Sequence, residues 1–179
     1  MNFDPVHVFN AIRPGFLESE HIRSLPPEYV YEEQLMDLRE FDPNALDIPC
    51  PDHITFGMYT GDWDKLLEAV GQVEDGWLSC YKPGDIVYCA MDGDKIASFC
   101  ALDDFGIYEG LRVGGPGCVG TVPEYRRQGI GLKMVQNVTQ ILKEKGYALG
   151  YIHYTGVGHW YAKLGYQTLV KWNSGGIIR

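Results

Sequence analysis

The feature that most constrains the fold is a short apolar strand that leads directly into a long amphipathic helix. Residues 118–122 form an apolar run that stops at Pro123. Residues 128–145 then repeat apolar side chains at helical spacing, which predicts the strongest helix in the chain. Lysines lie in its last turn, where the helix dipole favours cations, and Gly146 is suited to end it. A strand followed at once by such a helix is typical of α/β layers.

The remaining periodic segments complete a mixed sheet with helices on its faces. Residues 85–91 and 95–102 are rich in β-branched and aromatic side chains, and the Asp-Gly-Asp at 92–94 between them predicts a hairpin. Apolar spacing predicts further strands at 54–58, 147–154 and 166–172 and helices at 62–73 and 159–164. This order of elements predicts an α/β fold, equally labelled α+β.

The first 52 residues read differently from the rest of the chain. Three prolines crowd into residues 43–51, where periodicity is lost. Before them, residues 28–41 are acidic with apolar side chains spaced three apart, a weak helix signal. We therefore predict that residues 1–52 are an extension that packs on the core or on a partner subunit, and that residues 53–179 are the main domain. Residues 114–117, rich in glycine, are predicted to be a linker.

Composition and cysteine usage favour a soluble cytoplasmic protein. Nothing near the start resembles a signal peptide, and no apolar run reaches the length of a transmembrane helix. The five cysteines are odd in number and lack any Cys-x-x-Cys pair, which is typical of reduced thiols in a reducing compartment. We therefore expect no membrane partner.

Charge is spread unevenly along the chain. The net charge is −9, yet residues 121–179 hold eight basic and two acidic residues. This pattern favours an anionic ligand for the last third of the chain and allows a cationic partner for the rest. An acidic surface that only keeps the protein soluble is the alternative for the first part. The basic residues are too few, and lack interleaved aromatics, for a nucleic-acid partner.

The junction between the apolar strand and the long helix predicts a phosphate site. The first amides of a helix lack intrahelical acceptors, and the dipole places positive charge there. Gly129 and Gly131 carry no side chains that would block those amides, while Arg126 and Arg127 add charge and forked donors. A dinucleotide fingerprint would need a glycine where Met134 stands, and no Walker Gly-Lys-Ser/Thr is present. Another phosphate ligand is therefore predicted.

Two segments together resemble a known family. Residues 122–131, Val-Pro-Glu-Tyr-Arg-Arg-Gln-Gly-Ile-Gly, are followed 29 residues later by Trp-Tyr-Ala-Lys-Leu-Gly-Tyr at 160–166. The first resembles the Arg/Gln-x-x-Gly-x-Gly/Ala cofactor loop of the GNAT superfamily of acyl-CoA N-acyltransferases, and the second resembles its tyrosine-containing segment. The resemblance covers roughly residues 53–172. It implies a mixed, splayed sheet whose strands ending near Val122 and Tyr154 part around the cofactor.

The resemblance also implies residue roles and a cosubstrate, acetyl-CoA. Strand backbone at Gly120, Thr121 and Val122 would pair with pantetheine, and a kink in that strand would offer an amide to the oxyanion. Tyr161 would be the acid that protonates the leaving thiolate, with a packed aromatic as its alternative role. The pyrophosphate would be held by the loop Arg126, Arg127, Gln128, Gly129, Ile130 and Gly131.

The general base is left open by the sequence. Asp103, Asp104 and Glu109 follow the second hairpin strand but are more typical of a solvated turn. His153 on an apolar strand is more typical of a satisfied core histidine, and His159 is an outside candidate. No His, Cys or Glu stands at metal-ligand spacing, so no metal is predicted.

The sequence thus predicts an N-acetyltransferase that moves an acetyl group from acetyl-CoA to a primary amine by direct attack. The acceptor, a small molecule or a peptide amine, is not identified. The alternative is a non-catalytic domain that senses acyl-CoA or regulates a partner. The chain ends 13 residues after Tyr166, which leaves little room for the family's final pair of strands. The extension or a partner subunit, as in a homodimer, is expected to complete the sheet.

Overall fold

The computed structural model describes residues 4–178, which form five α-helices, eight strands and several short 3-10 turns. The helices are α1 (Pro5–Ile12), α2 (Glu20–Arg23), α3 (Trp63–Gly71), α4 (Ile130–Glu144) and α5 (Gly158–Tyr161). The strands are β1 (Tyr31–Asp37), β2 (Ile54–Met58), β3 (Val87–Asp92), β4 (Lys95–Tyr108), β5 (Leu111–Thr121), β6 (Leu149–Thr155), β7 (Gln167–Asn173) and β8 (Gly176–Ile178).

All eight strands belong to one mixed sheet. Their hydrogen-bonded order is β2-β3-β4-β5-β6-β1-β7-β8. β5 and β6 are parallel, with Val113 opposite Leu149 and Gly114 opposite Gly150. The pairs β2/β3, β3/β4, β6/β1, β1/β7 and β7/β8 are antiparallel. The predicted α/β class with a mixed sheet is confirmed. The predicted parting of β5 and β6 around a cofactor stays a prediction.

The chain divides into two compact units. The first unit comprises Asp42–Asp103 and Pro116–Ile141, and it holds the predicted β3–β4 hairpin, which turns at Gly93 with a φ of +59°. Asp62 caps the start of α3 by accepting from the Asp64 amide at 2.9 Å. Its core gathers apolar side chains from both segments, among them Leu66, Val70, Cys89, Phe99, Tyr125 and Ile130.

The second unit comprises the described residues of Met1–Phe41, Asp104–Gly115 and Leu142–Arg179. In it β1 lies between β6 and β7 and pairs with both. The helix predicted at 28–41 is therefore wrong. The apolar spacing of three arose because Leu35 lies in the strand whereas Leu38 and Phe41 belong to the 3-10 turn after it. A central strand has neighbours on both edges, so tertiary pairing outweighed the weak local signal.

The stretch at 114–117 was predicted to be a linker and is instead the middle of β5. Two of its glycines are needed for close packing. A Cβ on Gly115 would lie 1.8 Å from the Tyr151 carbonyl oxygen, and a Cβ on Gly117 would lie 2.0 Å from Asp103 Oδ2. Gly115 and Gly117 therefore allow neighbouring groups to approach β5 closely, and they do not interrupt the strand.

The C-terminal residues form the hairpin of β7 and β8 within the space that looked too short for two strands. β1, from the first 52 residues, pairs along the other edge of β7, with Tyr31 opposite Trp172. The first 52 residues thus contribute a sheet strand. The division of the chain at residue 52 stays a prediction, as does a homodimer.

Candidate functional site

The predicted cofactor loop lies in the first unit, between β5 and α4. A 3-10 turn, Pro123–Tyr125, follows the strand directly. Tyr125 is buried, and its hydroxyl donates to Asp92 Oδ2 at 2.9 Å. Burial is the main cause that raises the pKa of Tyr125 to about 12, so this hydroxyl keeps its proton at neutral pH. The turn is thereby fixed at both its backbone and its aromatic side chain.

The start of α4 presents amides that the helix itself does not use. The first helical bond recorded around the loop runs from the Lys133 amide to the Gly129 carbonyl at 2.9 Å. The amides of Ile130, Gly131 and Leu132 therefore precede the first i to i−4 bond. Together with the helix dipole, they form an arrangement suited to an anion.

The structure gives a different reason for Gly129 from the one predicted. Its φ is +80°, a region that favours glycine, and a Cβ there would lie 2.1 Å from the Pro49 carbonyl oxygen. Gly129 is thus required by the chain's own packing against residues 48–49. The expectation that its missing side chain serves only the approach of a phosphate is too narrow.

Side chains of the loop tie it to the strand end. The Arg126 Nε donates to the Thr121 carbonyl at 3.0 Å, and the Gln128 amide nitrogen donates to the Glu124 carbonyl at 3.2 Å. Arg127 has a φ of +62°, an uncommon conformation for a residue with a side chain. Arg126, Arg127 and Gln128 are all exposed, so two guanidinium groups stand in solvent beside the start of α4.

The end of β5 is bonded to β4 within the first unit. The Ser98 hydroxyl donates to the Gly120 carbonyl at 2.6 Å and lies 3.0 Å from Thr121 Oγ1. The Val122 amide donates to the Ala97 carbonyl at 3.0 Å. These bonds hold the strand end rigidly in place. The predicted pairing of Gly120, Thr121 and Val122 with pantetheine stays a prediction, and for Val122 it cannot use the amide.

A kink lies in β5 at Cys118, where φ is +44°. The Tyr81 hydroxyl donates to the Cys118 carbonyl at 2.7 Å and fixes the kink. Burial is the main cause that raises the pKa of the Cys118 thiol to about 12. A thiol of that pKa is almost entirely protonated at neutral pH, which makes it a poor nucleophile.

Tyr161, the predicted acid, ends α5 in the second unit. It is 7% exposed, and its ring packs edge-on against Trp160 at 4.8 Å and Tyr166 at 6.3 Å between centroids. Both alternatives for it, the acid and the packed aromatic, are compatible with this position, so its role stays a prediction.

Of the acidic candidates for the base, Asp103 and Asp104 lie within β4, which is longer than predicted, and Glu109 lies in the turn after it. Asp104 accepts from the Gly106 amide at 2.8 Å, from the Tyr147 hydroxyl at 2.8 Å and from Arg112 at 3.2 Å. The bond from the Gly106 amide is the largest cause that lowers the pKa of Asp104. Glu109 lies in the turn between β4 and β5 with a φ of +48°. The three hydrogen bonds to Asp104 make it a weak base.

A polar group that sequence reasoning missed lies in the second unit. Glu33 on β1 is fully buried, and four donors meet its carboxylate. They are the Tyr151 hydroxyl, His153 Nδ1 at 2.8 Å, the Tyr154 amide at 3.2 Å and Trp172 Nε1 at 2.8 Å. Glu33 stands in an acidic run that reads as solvated, and only its central strand position marks it as buried.

Residues 4–178 were also considered for a metal site and for a membrane-spanning helix, and they contain neither. No group of three or more His, Cys, Asp or Glu side chains is arranged to hold a metal ion. In the same part of the chain, every helix is too short or too polar to cross a membrane.

Residues 83–168 match the profile of a family described as an acetyltransferase (GNAT) domain. No curated protein matches the sequence at a significant level. The matched segment includes the loop at 126–131 and Tyr161.

Solved structures resemble the fold. A GCN5-related glucosamine N-acetyltransferase region of a fungal multi-domain β-N-acetylglucosaminidase has a TM-score of 0.66 at 21% identity, over 81% of this chain and 20% of that one. A GCN5-related N-acetyltransferase from Kribbella flavida has a TM-score of 0.58 at 20% identity, over 88% of this chain and 62% of that one. A GCN5-related N-acetyltransferase from Sphaerobacter thermophilus has a TM-score of 0.60 at 18% identity, over 83% of this chain and 51% of that one. The chain thus spans between about a fifth and three fifths of their lengths. Residues 83–168 thus match the profile of a GNAT acetyltransferase domain, and the chain shares the fold of these GCN5-related structures.

Proposed function

We propose that this chain transfers an acetyl group from acetyl-CoA to a primary amine. The observation that carries the proposal is the loop at 126–131, where amides at the start of α4 stand beside two exposed arginines. The pyrophosphate of coenzyme A is an anion of the size that such a loop accommodates. In the proposal Arg126, Arg127, Gln128, Gly129, Ile130 and Gly131 hold the pyrophosphate, and Gly120, Thr121 and Val122 line the pantetheine arm.

The chemistry requires one proton to leave the amine before attack. An alkylamine has a pKa of about 10.4, so roughly one molecule in a few thousand is unprotonated at neutral pH. The free amine then attacks the thioester carbonyl, a C–N bond forms, and the oxyanion is met by a backbone amide near the kink in β5. The C–S bond breaks as the thiolate leaves, and Tyr161 gives that sulfur a proton.

Direct attack predicts that the Cys118 thiol is dispensable. We expect Cys118→Ala to keep kcat within about threefold of wild type, because a protonated thiol contributes no nucleophile. Two-substrate kinetics should give intersecting rather than parallel lines. Parallel lines in the wild type, with activity lost in Cys118→Ala, would indicate an acetyl-cysteine intermediate instead.

The role of Tyr161 is tested by removing its hydroxyl. We expect Tyr161→Phe to lower kcat about 10²-fold, within the range of general acid catalysis, while the affinity for acetyl-CoA stays unchanged. The measurement is kcat across the pH range together with an acetyl-CoA titration. Tyr166→Phe, at a buried tyrosine in ring contact with Tyr161, is a matched control for the loss of a buried hydroxyl. Equal kcat in Tyr161→Phe and wild type at every pH would leave Tyr161 as a packed aromatic.

The acceptor side is proposed from charge and from the neighbours. The first 120 residues carry a large acidic excess, which favours a cationic amine. The fungal neighbour is described as a glucosamine N-acetyltransferase region, so amino sugars belong among the acceptors to be tried. A homodimer and a cytoplasmic location remain part of the proposal.

The test is thiol release from acetyl-CoA with a panel of amino sugars, polyamines, aminoglycosides, amino acids and peptides. We expect release above the hydrolysis background with at least one amine class. Measurable binding of acetyl-CoA with no release from any class would contradict the transferase and leave a domain that binds acyl-CoA without catalysis.

A further inference from the structure

The buried carboxylate of Glu33 is fully hydrogen-bonded. Trp172 Nε1 and the Tyr154 amide both donate to Oε1, and the Tyr151 hydroxyl donates to Oε2. A carboxylate has about four acceptor sites, so these three donors leave room for one more on Oε2. The fourth partner is the His153 Nδ1, 2.8 Å from Oε2. A carboxylate can only accept hydrogen bonds, so with Glu33 as a carboxylate His153 is the donor, through Nδ1.

The hydrogen bond from Nδ1 to Glu33 determines the tautomer of the His153 imidazole. With the Nδ1 proton committed to Glu33, Nε2 is the nitrogen that carries a lone pair. The side chain of His153 is 20% exposed, whereas that of Glu33 is fully buried. The ring of Phe16 stands 4.6 Å away and that of Phe105 6.4 Å away, both edge-on between centroids. The imidazole is therefore oriented by Glu33 and packed among aromatic rings, and 20% of its side chain remains exposed.

The position of His153 in the sheet is where a substrate is expected. β5 and β6 are the parallel neighbours of the sheet, and Gly114 pairs with Gly150. His153 lies three residues beyond that pair, towards the carboxyl end of β6. In α/β sheets, ligands bind outside the carboxyl ends of parallel strands.

We propose that His153 is the catalytic base that takes a proton from the acceptor amine, and that Glu33 is its positioning residue. The inference rests on the proposed acetyl transfer and supplies the base that the sequence left open. Glu33 selects the tautomer with a free Nε2 and stabilises the imidazolium that forms, as a carboxylate does for histidine in acyl transfer.

The protons of the step balance. Nε2 accepts one proton from the ammonium, which frees the lone pair that forms the C–N bond. As that bond forms and the C–S bond breaks, the second nitrogen proton becomes acidic and passes to the leaving sulfur, in the proposed scheme by way of Tyr161. The imidazolium then returns its proton to water. The products are the amide, the free thiol and one released proton.

Two tyrosine rings adjoin the His153 ring, that of Tyr151 at 6.2 Å and that of Tyr154 at 6.1 Å between centroids. Burial is the main cause that raises the pKa of Tyr154 to about 12 and the pKa of Tyr151 further still. These hydroxyls therefore stay protonated at neutral pH. Three further titratable or charged side chains contact the neighbours of the dyad: His21 and Tyr31 contact the Tyr154 ring, and the Arg13 guanidinium lies over the Phe16 ring at 5.4 Å.

The test is the pH profile of kcat/KM with the best acceptor from the panel. In the wild type we expect a fall towards low pH, because a protonated imidazole accepts no proton. In His153→Gln, kcat/KM near neutral pH should be about 10²–10⁴-fold lower than in the wild type, and the fall towards low pH should be absent. Glu33→Gln should lower kcat/KM as well, because the imidazole loses the carboxylate that orients it and that stabilises the imidazolium. His21→Gln, the neighbouring histidine, should leave the profile unchanged.

Two readouts separate a base from a structural histidine. Added imidazole should restore activity to His153→Ala, and the loss in His153→Gln should shrink with less basic acceptors, which need less help to lose a proton. Acetyl-CoA affinity, measured in every variant, should equal that of wild type and so confirms folding. If Glu33→Gln fails to fold, the two His153 variants carry the test.

The outcomes also distinguish this inference from the proposed function. Absence of thiol release by the wild type would overturn both. Turnover by the wild type with the same pH profile in His153→Gln would overturn the base alone and leave acetyl transfer intact. Loss of the low-pH fall in His159→Gln instead of His153→Gln would assign the base to His159.

Discussion

Gly129→Ala is expected to lower the affinity for acetyl-CoA at least about tenfold, a loss of about 1.4 kcal/mol in binding free energy. The new Cβ would lie 2.1 Å from the Pro49 carbonyl oxygen, so the loop has to move away from residues 48–49. The amides of Ile130 and Gly131 would move with it, and their alignment on the pyrophosphate would be lost. Calorimetric titration with acetyl-CoA measures the effect.

Gly146→Ala is the matched control for this loop. Its φ is +81° against +80° at Gly129, yet a Cβ there meets nothing within 4 Å. Both variants carry the strain of a left-handed alanine, about 1–2 kcal/mol of folding free energy. Only Gly129→Ala adds the clash, so only it should lose cofactor affinity. Equal affinities in the two variants would contradict the assignment of the loop.

Arg127→Ala is expected to have the smaller effect on the same titration. Arg127 is exposed, and its charge is screened by solvent and salt. Its contribution should shrink as salt concentration rises, whereas the loss in Gly129→Ala should persist.

Gly115→Ala is expected to cause the largest loss of stability, about 3–5 kcal/mol in the free energy of unfolding. Its Cβ would lie 1.8 Å from the Tyr151 carbonyl oxygen, which is backbone and cannot turn aside. β5 and β6 would have to separate where Gly114 pairs with Gly150. The expected fall in Tm is about 6–20 °C, measured by thermal unfolding.

Gly57→Ala controls for replacing a strand glycine. Gly57 lies in β2, and a Cβ there meets nothing within 4 Å. Alanine reduces the entropy of the unfolded chain, so we expect no loss of stability and a gain of up to about 1 kcal/mol. A Gly115→Ala protein as stable as Gly57→Ala would mean that β5 and β6 are not packed as closely as described.

The parts predicted correctly from sequence are those whose signals are local. The helix at 128–145 is α4, because its apolar repeat and its terminal glycine are read within one segment. The hairpin at 92–94 follows from its own turn residues. Residues 126–131 lie at the predicted junction of a strand and a helix, whereas their role as the cofactor loop stays a prediction.

The parts predicted wrongly depend on distant residues. β1 pairs with β6 and β7, which lie more than 110 positions away in the sequence. The residues of β1 itself, 31–37, give no local signal of that pairing. Glu33 reads as a surface acid until Tyr151, His153 and Trp172 are placed around it. The pairing of Glu33 with His153 was therefore out of reach, because Glu33 lies in the predicted extension and His153 in the predicted main domain.

The reason for the glycines in β5 was also not local. Gly115 was read as part of a linker, since glycine is frequent in turns. In the structure it is required by the Tyr151 carbonyl, 36 positions further on. Composition alone does not distinguish a flexible glycine from one that allows close packing.

The most direct test of acetyl transfer follows the acetyl group itself. Acetyl-CoA labelled with ¹³C at the carbonyl is incubated with the protein and the acceptor amine, and both products are quantified by NMR. The account predicts that the label appears as an amide on the acceptor nitrogen, in an amount equal to the free coenzyme A released. Label recovered only as acetate, or retained on intact acetyl-CoA bound to the protein, would contradict it.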